Sequence, residues 1–193
     1  MQPHTRPNRV ILGLLALGVL AGVALTTSSA PAASGVGPYF PEPAWDRKLP
    51  AAFRFLVLTN WENEAVLDRE TGLVWERTPD TLPQSWAGAK LACLNRTVSN
   101  RRGWRLPSVV ELISLVDSSV ITGATLPPGH PFVEIQSSVG IPSSFYWSAT
   151  TEAQLSTSAF RVQFFNGGGA GSGPKTELLL VWCVRGGMNP DAY

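Results

Sequence analysis

The stretch Leu178-Leu179-Leu180-Val181-Trp182-Cys183-Val184 runs seven residues without a polar side chain. A strand with one face in water alternates polar and apolar residues. The unbroken run within Glu177 to Arg185 therefore predicts a central strand covered on both faces. Upstream, Ser85 to Leu94 predicts a helix that carries Trp86, Ala89 and Cys93 inward at spacings of three and four. A buried last strand would bring Cys183 near that helix.

Working outward, Arg54 to Leu58 reads as a strand. Ala65-Val66-Leu67-Asp68, Arg69-Glu70-Thr71-Gly72 and Leu73-Val74-Trp75-Glu76 read as strand, glycine-containing turn and strand, a hairpin. Pro107-Ser108-Val109-Val110-Glu111 contains the Ser-x-x-Glu capping box, and Val109, Leu112, Ile113 and Val116 follow at helical spacing, predicting a second helix. Residues 118–144 carry Gly, Pro and Ser punctuation and no period. A loop of that length in a compact domain is commonly functional or mobile. Phe145 to Thr151 and Ala159 to Phe165 predict two more strands. Two early helices and several late strands define an α+β domain, with helices packed on antiparallel sheets and long loops between them.

The chain has 193 residues, of which 44% are hydrophobic and 15% charged, with seven Trp and a formal net charge of +1. That fits one globular domain. It is too apolar for a disordered tail and too balanced for a nucleic-acid binder. Arg6 and Arg9 precede an uncharged apolar run from Val10 to Leu25, and small residues follow at Ala30 and Ala32, the pattern of a signal peptide over residues 1–32. An uncleaved N-terminal anchor is the alternative. Cleavage would leave 13 basic and 14 acidic residues and a product with no membrane segment, periplasmic or secreted to the cell surface. Residues 33–52 read as a Pro-rich linker or arm, 53–187 as the folded domain and 188–193 as a C-terminal tail.

Both cysteines lie in the exported part, and an even count in an oxidising compartment predicts a Cys93–Cys183 disulfide. Closing a loop of about 90 residues stabilises a fold by roughly 4 to 5 kcal/mol in the chain-entropy model. Zinc is the weaker alternative, because two Cys and one exported His, His130, are widely spaced. No metal or other cofactor is expected.

Candidate chemistry is sparse. The run Asn166-Gly167-Gly168-Gly169-Ala170-Gly171-Ser172-Gly173 lacks the Gly-Lys-Ser/Thr ending of a phosphate loop and reads as a flexible hairpin loop. No Gly-x-Ser-x-Gly elbow accompanies His130. Acids are available for glycosidase chemistry, but Asp68 and Glu70 flank a turn and Glu111 is explained by helix capping. Arg96, Arg101, Arg102 and Arg105 fall within ten residues and could pair sulfate or carboxylate groups bidentately. The competing reading is a solvated loop with Arg105 used structurally. Of the Trp residues, some could stack on sugars while most fill the core.

The hairpin run from Ala65 to Glu76 resembles the opening motif of the Lcl C-terminal domain family. Four more segments match it in order: Ser85-Trp86-Ala87 with Ala92-Cys93, Gly103-Trp104-Arg105-Leu106-Pro107-Ser108 with Glu111-Leu112, Tyr146-Trp147-Ser148-Ala149-Thr150, and Val181-Trp182-Cys183-Val184-Arg185-Gly186-Gly187. The resemblance implies a C-type-lectin-like fold with a disulfide from the first helix to the last strand. It also implies an extracytoplasmic bacterial protein, the family's namesake being a collagen-like adhesin that binds sulfated polysaccharides. This chain has no Gly-x-y collagen tract. It also lacks the Glu-Pro-Asn, Gln-Pro-Asp and Trp-Asn-Asp motifs of calcium-dependent lectins, so neither property carries over.

The reading that results is an exported, non-enzymatic binding module for an anionic glycan or an envelope or surface protein. Its ligand would be held by loops, with Arg96, Arg101, Arg102, His130 and Asn166 as candidate contacts. Alternatives are a structural part of a surface appendage, docked through the Pro-rich arm, and an enzyme related to the fold of formylglycine-generating enzymes, which would need a free cysteine or a metal.

Overall fold

The computed structural model describes residues 49–137 and 144–187. The expected signal peptide, most of the Pro-rich arm, part of the long loop and the C-terminal tail lie outside them. The elements are α1 (Ala51–Arg54), β1 (Phe55–Val57), β2 (Ala65–Asp68), β3 (Val74–Glu76), β4 (Asp80–Gln84), α2 (Trp86–Asn95), β5 (Trp104–Arg105), α3 (Val109–Ser114), β6 (Phe145–Thr151), β7 (Ser158–Gln163), β8 (Gly169–Pro174), β9 (Leu179–Val181) and β10 (Val184–Arg185). One sheet has the order β1-β2-β3-β10-β5 and the other β4-β9-β6-β7-β8. All pairings are antiparallel except β6 with β9, where Tyr146 faces Leu180. The mixed α+β class stands, with one parallel pair in place of a purely antiparallel arrangement.

The apolar run that predicts one central strand forms two short ones, in different sheets. The chain leaves the second sheet after Val181, passes Trp182 and Cys183, and enters the first at Val184. Side-chain alternation explains why no polar residue interrupts it. Leu180, Trp182 and Val184 enter one core with Trp75, Leu112 and Phe164. Leu179, Val181 and Cys183 enter a second core with Ala89, Trp104 and Trp147. The segment is the wall between two cores, so both of its faces are apolar.

Each helix serves one core. Ser85 caps α2, its Oγ accepting from Gly88 N at 3.3 Å. On α2, Ala89 and Cys93 are fully buried, and Cys93 is bonded to Cys183 with Cα atoms 5.4 Å apart. The capping box of α3 is present in both directions: Glu111 N donates to Ser108 Oγ and Ser108 N to Glu111 Oε2 at 2.7 Å. That helix ends at Ser114, short of the expected Val116. Its last turn tightens, with Leu115 N bonding Leu112 O and Val116 N bonding Ile113 O. This carries Leu115 into the core and leaves Ile113 exposed.

The expected hairpin forms, with Val66 opposite Trp75 and Gly72 at φ +71° in its turn. Its acids do more than flank the turn. Asp68 is fully buried and takes a bidentate contact from Arg54 at 2.8 and 2.9 Å. Arg54 also pairs with Glu70 and donates to Ser114 O. This ties α1, β2 and the end of α3 together, and Ala51 is buried in the first core, so α1 lies across the boundary expected at residue 52.

Two further expectations change. The glycine-rich run is a turn only at 166–168. From Gly169 it is the edge strand β8, paired with β7 over six residues. The described part of the long loop is anchored: Leu126 and Phe132 enter the first core, and Ala124 bridges Phe165. Gly168 packs there at φ +71°, where a Cβ would come within 2.4 Å of Val116 Cγ1.

Candidate functional site

Of the four clustered arginines, two are committed to carboxylates. Arg96 follows α2 as its C-cap and reaches Glu76 at 2.8 Å and Asp80 at 3.1 Å, joining the helix to β3 and β4. Arg105 grips Glu111 with two bonds of 2.8 and 2.6 Å and donates to Gly186 O. Glu76 is the electrostatic centre of this region. Cys183 N donates to its Oε2 at 2.8 Å, and burial pushes its pKa up to about 7 against the opposing pull of Arg96 and that hydrogen bond.

Arg101 and Arg102 stand apart from this network. Ser99 and Asn100, at φ +44° and +61°, form a two-residue turn closed by reciprocal backbone bonds between Val98 and Arg101. Ser99 N and Oγ both donate to Glu64 Oε2 at 3.0 Å, and Ser99 Oγ also donates to Trp61 O, pinning the turn on the neighbouring loop. The result sets the Arg101 guanidinium 4.5 Å from the centre of the Trp61 ring. A second guanidinium, that of Arg185, lies 5.2 Å from the same ring. Arg185 arrives on β10, paired across β5 with Trp104, whose own ring meets Trp61 edge-on at 6.1 Å. Trp104 Nε1 donates to Arg101 O at 3.0 Å, fixing the Trp104 ring against the turn.

Among the described residues neither Arg101 nor Arg185 is ion-paired with a carboxylate, and Arg102, next to Arg101 in the chain, is exposed. At Gly103 (φ +87°) a Cβ would come within 3.6 Å of Arg185 Nε. Arg101 Nη1 donates to Ser99 O at 3.1 Å, and cation–π contact with Trp61 holds both cations without neutralising them, leaving their remaining N–H groups for an oxyanion.

The remaining candidates are placed elsewhere. His130 follows a turn closed on Pro127 O and stacks on Phe132 at 5.9 Å. Its Nδ1 is buried without a hydrogen-bond partner among the described residues, and burial lowers its pKa. Asn166 occupies the left-handed position (φ +52°) that opens the turn into β8. Sequence reasoning missed Trp61 and Arg185. Neither stands near residue 101 in the chain, and only the loop packing and the β5–β10 pairing join them. Among the described residues no group of His, Cys, Asp and Glu is arranged to hold a metal ion.

The architecture defines a disulfide-braced α+β domain with two sheets, two cores and an uncompensated arginine pair on an indole. The chain matches the Lcl C-terminal domain family over residues 64–185 and belongs to that family. No curated protein matches it.

Proposed function

We propose that this protein is an exported binding module of C-type-lectin-like fold, carried to the periplasm or cell surface by the signal peptide at 1–32, and that it binds an anionic glycan. Its role is recognition rather than catalysis. The observation that carries the reading is the convergence of Arg101 and Arg185 on Trp61, with Arg102 exposed next to Arg101 in the chain. Sulfate and carboxylate groups on a polysaccharide match such forks, and a repeating anionic chain would meet several cations at once. The disulfide between the first long helix and the final strands and the family membership support the fold assignment.

The test is a glycan array that includes sulfated polysaccharides, probed with the oxidised protein with and without calcium. Binding should weaken steeply with salt, because exposed charge pairs are screened. It should be indifferent to calcium and be lost in Arg101→Ala/Arg102→Ala and in Arg185→Ala. Absence of binding to any anionic glycan at low salt would overturn the reading and direct the search to protein partners.

A further inference from the structure

The helix α2 is apolar on two sides. Ala89 and Cys93 face the core, while Ala87, Leu91 and Leu94 recur at helical spacing on the outside, and Leu91 and Leu94 are 57% and 69% exposed. The only charge on the helix is Lys90. A helix of a soluble domain ordinarily turns a polar face outward, so this stripe calls for a partner.

Beside the stripe lies a groove of about 460 Å³, between α2 and β5, walled by Trp86, Leu91, Leu94, Trp104 and Leu106 with Ala149. That volume lies within the range of small-molecule sites. Lys90 lines the groove, its Nζ 4.5 Å from the Trp86 ring centre; Lys175, whose Nζ lies 4.1 Å from the same centre, is not part of the lining. Trp86 is held in place by its Nε1 donating to Ser148 O at 2.8 Å, and Lys175 by bonds to Thr151 Oγ1 and Ser156 O. Neither ammonium group is ion-paired with a carboxylate among the described residues. Arg105, also on the wall, is already neutralised by Glu111.

We infer that this groove binds a free single-chain amphiphile with an anionic head, of the fatty-carboxylate class. The chain lies along Leu91, Leu94, Trp104 and Leu106, and the carboxylate lies at Lys90. Charge decides the occupant. A second copy seated by two-fold symmetry would bring the uncompensated lysines of both copies to one interface, whereas a carboxylate head neutralises them. The site is separate in chemistry from the arginine site, so each can fail alone.

Titration of the full disulfide-bonded chain with octanoate, decanoate and dodecanoate, each below its micelle concentration and followed by tryptophan fluorescence and calorimetry, tests the inference. Affinity should rise about fourfold per added methylene, the increment expected for apolar burial. Dodecyltrimethylammonium should bind at least about tenfold more weakly than dodecanoate, reflecting the charge of Lys90. Leu91→Gln and Leu94→Gln, both at exposed positions, should abolish the chain-length dependence without loss of fold by circular dichroism. Lys90→Gln should erase the preference for the anion, and Arg101→Ala should change nothing. A flat chain-length series, equal binding of the cationic amphiphile, or retention on anionic phospholipid vesicles without binding of monomeric dodecanoate would overturn it.

Discussion

Protonation of Glu76 should stabilise this domain. The carboxyl group sits between the two cores, accepts from Cys183 N and touches Arg96, yet burial dominates and raises its pKa from the ordinary 4.5 to about 7. In the unfolded chain it titrates near 4.5, so between those values the native state holds a proton that the unfolded state has released. Its stabilising contribution is complete below about pH 4.5 and is lost as pH rises through about 7. The displacement corresponds to about 3 kcal/mol across that window. Urea unfolding followed by tryptophan fluorescence at pH 5, 6, 7 and 8 reads it directly. Other groups titrate in the same interval, and His130, with its lowered pKa, acts in the opposite sense by favouring the native state as pH rises. The informative quantity is therefore the difference between the native protein and Glu76→Gln. That variant keeps a side-chain oxygen for Cys183 N and cannot ionise. Relative to it, the native protein should gain about 2.5 kcal/mol on going from pH 8 to pH 5, most of the full displacement. Parallel pH profiles, or a native protein that loses ground on acidification, would refute the reasoning and make the Arg96 ion pair the dominant influence on Glu76.

Three other perturbations have defined outcomes. Replacing both Cys93 and Cys183 by Ser should cost roughly 4 to 5 kcal/mol in chemical denaturation, since the bridge closes a 90-residue separation; a loss below about 1 kcal/mol would show that the two cores hold the helix without it. Arg54→Met should destabilise by about 3 kcal/mol or more, because it leaves the fully buried Asp68 carboxylate without its cation. Adding Asp68→Leu to that variant should recover part of the loss in the same assay. Gly168→Ala should cost about 1 to 3 kcal/mol through its left-handed backbone and the approach to Val116, whereas Gly169→Ala and Gly171→Ala, which meet open space, should stay within about 0.5 kcal/mol by thermal melting.

Much of the scaffold is legible in the amino-acid order because it is set by neighbours in the chain. The hairpin of β2 and β3 follows from strand patterning on both sides of a turn with Gly72. The start of α3 follows from Ser108 and Glu111, three residues apart, and the face of α2 from the spacing of Ala89 and Cys93. The exported reading and the even cysteine count pointed to the one pairing the structure contains. Local order could not reveal strands formed only by what lies beside them. Strand β4 contains Pro83, which is tolerated because β4 is the edge of its sheet. Strand β8 is glycine-rich and is ordered by pairing with β7.

The candidate site divides the same way. The clustering of Arg96, Arg101, Arg102 and Arg105 is a property of the sequence, and the sequence alone makes them equivalent. Tertiary structure separates them by placing Glu76 and Asp80 beside Arg96 and Glu111 beside Arg105, while Arg101 is set on an indole with Arg185 brought in from the far end of the chain. The apolar run near the C-terminus shows the division most clearly. From Leu179 to Val184 its composition determined that both faces are buried, because no polar side chain could be left there without a partner, while Leu178 at its start is 60% exposed. Only the packing decided that the two faces belong to different cores, and hence that the chain crosses from one sheet to the other between Val181 and Val184. Burial is encoded residue by residue, but the sheet a strand joins depends on backbone partners contributed by distant segments.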